Sequence, residues 1–276
     1  MKNVYLISFS PGGTTKKSIQ NIADGMDNIN ITEIDMMRPE NRKKKYVFGS
    51  DDLVIVGMPT ATKLFGLPKE IMAALSGKNT PFVGVVTCGN GYYGKGLIVL
   101  KNELEQNGFK MVAAGGFVGQ YSFDKSVAAG RPDDKDRKDQ MAFGLSIYDK
   151  VFIKNDRSFD EKLSIDWPKE GAFSTVKCAL ISAAPIAGAG LPKSWNTFEV
   201  SDKCVKCKKC VHHCPVEAIS MVDGQIQFNM DKCIGCQGCV NVCPVEAITQ
   251  SNPTINKMTA NVKQYRHTRK PLDFFI

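Results

Sequence analysis

Eight of the chain's ten cysteines fall between positions 204 and 243, and their spacing repeats. Cys204-x-x-Cys207-x-x-Cys210-x-x-x-Cys214-Pro215 recurs as Cys233-x-x-Cys236-x-x-Cys239-x-x-x-Cys243-Pro244, 29 residues further on. Even the followers are copied, Val216-Glu217-Ala218-Ile219 against Val245-Glu246-Ala247-Ile248. One small unit has been duplicated, so a pseudo-twofold module is expected. Secreted disulfide scaffolds spread their cysteines through a small chain short of apolar core. Here they crowd into one corner of 276 residues that are 43% hydrophobic, so ligation is the better reading. Zinc also accepts four cysteines but usually pairs two CxxC knuckles. A third cysteine and a CysPro ending, twice over, favour iron–sulfur. Three cysteines two residues apart let a tight loop wrap three corners of a cubane, with the fourth drawn from elsewhere. His212 and His213, beside Cys214, are then expected to be loop residues that tune polarity.

Over its whole length of about 50 residues this segment resembles bacterial two-[4Fe–4S] ferredoxins. In those proteins the fourth cysteine of each run ligates the other cluster. The resemblance therefore implies Cys204, Cys207, Cys210 and Cys243 on one [4Fe–4S] cluster. It implies Cys233, Cys236, Cys239 and Cys214 on a second. Ligands crossed in this way tie the two repeats together, so losing one cysteine would damage the whole module.

The rest of the chain has a different rhythm. Short apolar runs at Val4–Ser8, Leu53–Gly57, Phe82–Thr87 and Met111–Val118 read as buried strands, with a weaker one at Ile31–Ile34. Apolar residues at helical spacing occupy Thr14–Met26, Pro68–Leu75 and Lys95–Gln106, with a further helix around Asp136 to Lys154. Such alternation predicts an α/β domain, a doubly wound and mostly parallel sheet with helices on both faces.

Three loops leave the carboxyl ends of the expected strands, where open α/β sheets bind ligands. The first is Ser8-Phe9-Ser10-Pro11-Gly12-Gly13-Thr14-Thr15. Glycines and hydroxyls at a strand-to-helix turn suit a phosphate, because backbone N–H groups and the positive helix end converge there. A Gly-rich turn capped by Thr14 is the blander reading. It is neither a Walker loop nor GxGxxG. The second loop is Gly57-Met58-Pro59-Thr60-Ala61-Thr62, and the third Thr87-Cys88-Gly89-Asn90-Gly91-Tyr92-Tyr93-Gly94. Together they resemble the three flavin loops of flavodoxins: the hydroxyl-rich phosphate loop, with Gly12 in place of a hydroxyl residue, then Gly-x-Pro-Thr and Gly-Asn-Tyr. The resemblance implies FMN held by residues of all three loops. Tyr92 or Tyr93 would stack on the ring or else fill the core. Cys88 reads as a small buried filler rather than a group facing the ring.

The order predicts a flavodoxin-like FMN-binding domain at 1–155, a connector at 156–199, a small α+β two-[4Fe–4S] ferredoxin domain at 200–250, and a basic tail at 251–276. That order resembles a fusion family of anaerobic prokaryotes, ferredoxins with a flavodoxin-like N-terminal region. The resemblance implies an electron-transfer iron–sulfur flavoprotein, exchanging electrons between FMN and the clusters, with reduction of a small substrate at the flavin. Its partner would be a redox protein or a small-molecule electron donor or acceptor. The alternative is a redox-sensing or interaction protein whose flavodoxin-like domain is empty. The net charge of +8 includes Lys257, Lys263, Arg266, Arg269 and Lys270 in the last 26 residues. No nucleic-acid motif accompanies them, so a nucleic-acid partner is disfavoured. The uncharged stretch Cys178–Pro192 is 15 residues broken by prolines and glycines, short of the roughly 20 a membrane span needs. The start lacks the apolar core of a secretory signal. A cytoplasmic protein is expected. The final Pro271-Leu272-Asp273-Phe274-Phe275-Ile276 is apolar enough to dock on a domain or on a second subunit.

Overall fold

Residues buried on both sides in largely apolar runs form the centre of the main sheet. In the computed structural model, which describes residues 2–59, 67–164, 166, 195–263 and 267–276, these runs are β4 (Leu53–Pro59), β6 (Thr80–Cys88) and β7 (Phe109–Val118). β1 (Lys2–Ser8) and β2 (Ile29–Asp35) complete the parallel part, and β2, with mostly exposed side chains, is an edge. The parallel strands run β2-β1-β4-β6-β7, the 2-1-3-4-5 order of the flavodoxin-like doubly wound sheet.

Successive side chains of a strand point to opposite faces, so each central strand feeds two cores. Val4, Leu6, Leu53, Ile55, Val83 and Val85 pack beneath α1 (Thr14–Ala23) and the helix Asp134–Tyr148. Ile7, Val54, Val56, Phe82 and Val86 pack on the other face with Leu97, Leu100 and Leu104 of the helix Gly96–Gln106. α1 and the helix Asp134–Tyr148 approach closely at two glycines. A Cβ on Gly144 would lie 1.9 Å from the carbonyl oxygen of Ile22, and one on Gly25 2.0 Å from that of Met141.

Several sequence boundaries move. The first helix ends at Ala23 rather than Met26, β4 runs past Gly57 through Met58–Pro59, and β6 runs past Thr87 to Cys88. The helix near the domain's end starts at Asp134, where Asp133 and Asp136 form a reciprocal capping box, and runs into a π-helical turn at Asp149–Ile153. The sequence left the docking of the C-terminal segment open. The structure places Asp273–Phe275 in the main sheet, antiparallel to β7, with Phe274 opposite Gly115. Phe274 packs on Phe117 and Phe143 at ring-centre distances of 5.3 and 5.0 Å. Three of the basic residues ahead of it are paired within the chain: Lys263 with Asp124, Arg269 with Asp133 and Asp136, Lys270 with Asp166. Thr60, Ala61, Thr62, Cys178, Arg266 and most of the expected connector lie outside the described residues.

Candidate functional site

The duplication seen in the sequence extends to the backbone angles. The short helices Lys209–His213 and Gly238–Val242 begin after Lys208 and Gln237, both left-handed at φ 58°. Glu217 and Glu246, also 29 residues apart, are left-handed at φ 51°. The N–H of Ala218 donates to Cys214 Sγ at 3.2 Å, and that of Ala247 to Cys243 Sγ at the same distance. Two antiparallel pairs close the module, Phe198–Val200 with Ile248–Gln250 and Ile219–Val222 with Gln225–Phe228. Cys210, Ile219, Cys239 and Ile248 are its small core, with the Phe198 and Phe228 rings stacked at 5.2 Å.

The sulfurs sort into two groups. Cys204, Cys207, Cys210 and Cys243 line one cavity, together with Val205, Ile226 and Ile248. Around the other, burial raises the thiol pKa of Cys239 and pushes that of Cys236 up to about 12, with Cys233 and Cys214 adding to both shifts. A buried thiolate needs a nearby cation, and iron supplies one. Among the described residues no three His, Cys, Asp or Glu side chains converge tightly enough for a single metal ion. A cubane carries its thiolates on separate irons and so spaces them more widely. Four sulfurs per group, with backbone N–H groups aimed at the fourth cysteines, are a donor set that fits two such clusters.

At the carboxyl end of β1, Ser10 Oγ accepts the N–H of Lys16 at 3.0 Å and Gly13 takes φ +81°, turning the chain into α1. Among the described residues no acceptor faces the N–H groups of Gly12, Thr14 and Thr15. These donors, at the positive end of a ten-residue helix, suit a phosphate. Thr15 and Thr87 hydroxyls meet at 2.6 Å, joining the first loop to the third, and Ser8 is buried at the end of β1. Lys16 and Lys17 point elsewhere, to Glu33 and to the carbonyl oxygen of Pro132. Pro11 is buried, and Pro59, half-buried, ends β4.

In the third loop Cys88 belongs to the core, its thiol raised to about 11 by burial and facing the Gly91 carbonyl. Tyr93 also fills the core and donates to Asp273 at 2.7 Å; burial, then that carboxylate, raise its pKa. Tyr92 is the half-buried ring of the pair, with the Lys270 ammonium 5.2 Å from its centre. Gly89 lies against Tyr121, and the space above Gly91 is open. The sequence reading missed what braces this loop. Asn90 donates to the Thr268 carbonyl, and Lys270 reaches both the Gly91 carbonyl and Asp166. Only the apolar ending of the chain signalled that its last residues return to the sheet.

The two sites touch. Pro11 accepts a hydrogen bond from His213, and a Cβ on Gly238 would lie 3.4 Å from Pro11 Cβ and 3.5 Å from Cys236 Sγ. Asn241 donates to the Ser122 carbonyl, Lys125 pairs with Glu246, and Arg42 donates to the Pro215 carbonyl. Ile234 packs against the core of the α/β domain.

Strand order and cysteine loops together define a chain that joins a flavodoxin-like α/β domain to a ferredoxin-type domain, an architecture that goes with electron transfer. Residues 197–244 match the family described as the 4Fe-4S dicluster domain. Solved structures similar to the N-terminal part include a flavodoxin from the domain Archaea, at 14% identity and TM-score 0.37, covering 54% of this chain and 98% of its own. The Megasphaera elsdenii flavodoxin matches at 12% identity and TM-score 0.34, with 52% and 98% covered. A flavodoxin of Streptococcus pneumonia TIGR4 matches at 15% identity and TM-score 0.33, with the same coverage. At such scores they add nothing to the strand order, which carries the fold assignment by itself. No curated protein matches the chain. Among the described residues no helix is long and apolar enough to cross a membrane.

Proposed function

We propose that the chain is a cytoplasmic electron-transfer flavoprotein that exchanges electrons between FMN and two [4Fe–4S] clusters, with a small substrate reduced at the flavin. The observation that carries this reading is the contact of Pro11, in the phosphate loop, with His213 and Gly238, which flank Cys214 and Cys236. FMN would supply chemistry in electron pairs, the clusters in single electrons. The chain's own contribution is positional. Gly12, Thr14 and Thr15 would offer N–H groups to the phosphate, the Thr15–Thr87 bond holds the first and third loops together, and Tyr92 would border the ring. Cys88, kept protonated by burial in the core, adds no charge to the third loop. Joining both centres in one chain makes their encounter intramolecular, which raises their effective concentration.

The test is anaerobic purification followed by iron, sulfide and flavin analysis. About eight irons and one FMN per chain are expected. Protein that carries the irons but never retains FMN would overturn the reading in favour of a redox sensor with an empty flavodoxin-like domain.

A further inference from the structure

The two cysteine loops occupy equivalent positions in a duplicated module, yet their intervening residues have diverged in one direction. Val205, Lys206, Lys208 and Lys209 of the first loop correspond to Ile234, Gly235, Gln237 and Gly238 of the second. The second loop is neutral and turned inward. Ile234 packs on the α/β core, Gln237 and Gly238 are buried, and Gly238 lies against Pro11. The first loop is exposed from Val205 to Lys209, and Val205 is 61% exposed. Cys207 is exposed, unlike its counterpart Cys236. Among the described residues Lys206, Lys208 and Lys209 enter no ion pair.

We infer that this first loop is the docking surface for an external acidic redox protein, one whose own centre lies beneath an anionic face. The inference rests on the proposed function and gives each cysteine group a direction. The group holding Cys236 faces the phosphate loop, and the group holding Cys207 faces the partner. The three ammonium groups attract the anionic face and orient it, the exposed Val205 supplies an apolar contact among them, and the exposed Cys207 belongs to the same loop. One electron at a time leaves the first group's cluster and reduces the partner's centre, or returns by the same route. The second loop cannot serve, because its equivalent surface is covered by Pro11.

The experiment uses the full chain with its clusters. Binding to an oxidised acidic two-[4Fe–4S] ferredoxin is measured by calorimetry at low and high salt. In parallel, voltammetry follows the cluster signal on carboxylate-terminated and amine-terminated electrodes. The variant K206Q/K208Q/K209Q should bind the ferredoxin about ten-fold more weakly at low salt and lose most of its salt dependence. Its cluster signal should slow on the carboxylate surface alone. K135Q/K138Q, on the helix Asp134–Tyr148, lowers net charge without touching the loop and should behave as wild type. Equal losses in both variants, or none in either, would overturn the inference. So would tighter binding of duplex DNA than of the ferredoxin through the same lysines. Absence of FMN would sink the proposed function but leave both readouts of the docking surface intact.

Discussion

The ring nitrogen Nε2 of His213 lies 2.8 Å from the carbonyl oxygen of Pro11, a residue 202 positions earlier in the chain. The carbonyl only accepts, so Nε2 carries the proton. One hydrogen bond thus ties the helix that leads into Cys214 to the loop expected to hold the flavin phosphate. Removing such a bond costs about 1 kcal/mol, a roughly five-fold fall in the equilibrium constant for the docked arrangement. H213A should therefore keep its iron and flavin but exchange electrons between them more slowly, by up to about five-fold, as read by flash photoreduction under anaerobic conditions.

The crossed ligand sets predict which cysteine variants resemble each other. C214S and C233S should lose the same cluster, and C243S and C204S the other, each falling from about eight irons toward about four. Spectra of the reduced variants by electron paramagnetic resonance sort them into pairs. If C214S groups with C204S instead, the fourth ligands are not exchanged between repeats.

Asp136 is 1% exposed and accepts from Arg131, itself 5% exposed, at 2.7 and 2.8 Å, while Arg269 donates to it from the C-terminal segment at 2.7 Å. Neutralising the carboxylate strands a buried guanidinium. D136N should destabilise the α/β domain by about 3–5 kcal/mol in denaturant titrations. R269Q, whose parent side chain is 42% exposed, should cost under about 1 kcal/mol.

Asp133 has its pKa lowered, first by the hydrogen bond from Arg269 and then by the backbone N–H of Asp136. A carboxyl depressed in the folded state adds stability that is complete above its unfolded pKa of about 3.9 and is lost as pH falls toward the folded value. Unfolding midpoints at pH 5 and pH 3, followed by circular dichroism, should differ more in wild type than in D133N. Equal differences would show that the Arg269 contact does not hold in solution.

Phe274 is the test of the added strand. Its ring packs on Phe117 and Phe143 yet stays 39% exposed. F274A should therefore lower stability by about 2 kcal/mol, less than a fully buried phenylalanine would cost. An unchanged midpoint would mean the C-terminal segment leaves the sheet in solution.

Much of this architecture was written locally. Eight cysteines repeated at a 29-residue shift name their chemistry without tertiary help, because ligand spacing within a tight loop is a property of consecutive residues. The buried strands announced themselves in the same way: Leu53–Pro59 and Pro81–Val86 are apolar without interruption, as suits strands covered on both faces. The loops at their ends followed from that, and with them the candidate phosphate turn.

Other features come from residues far apart in sequence, and no local pattern encodes them. Tyr92 and Tyr93 are chemically identical neighbours; only the arrival of Asp273, 180 positions later, assigns Tyr93 to the core. The basic residues of the last 26 resembled a free surface until Asp124, Asp133, Asp136 and Asp166 were found beside them. The same holds for the two cysteine loops. Their cysteine spacing is the same, whereas the packing of Gly238 on Pro11 makes one loop inner and one outer. A duplicated sequence can specify two copies of a loop, but which copy is covered depends on what the rest of the chain folds against it.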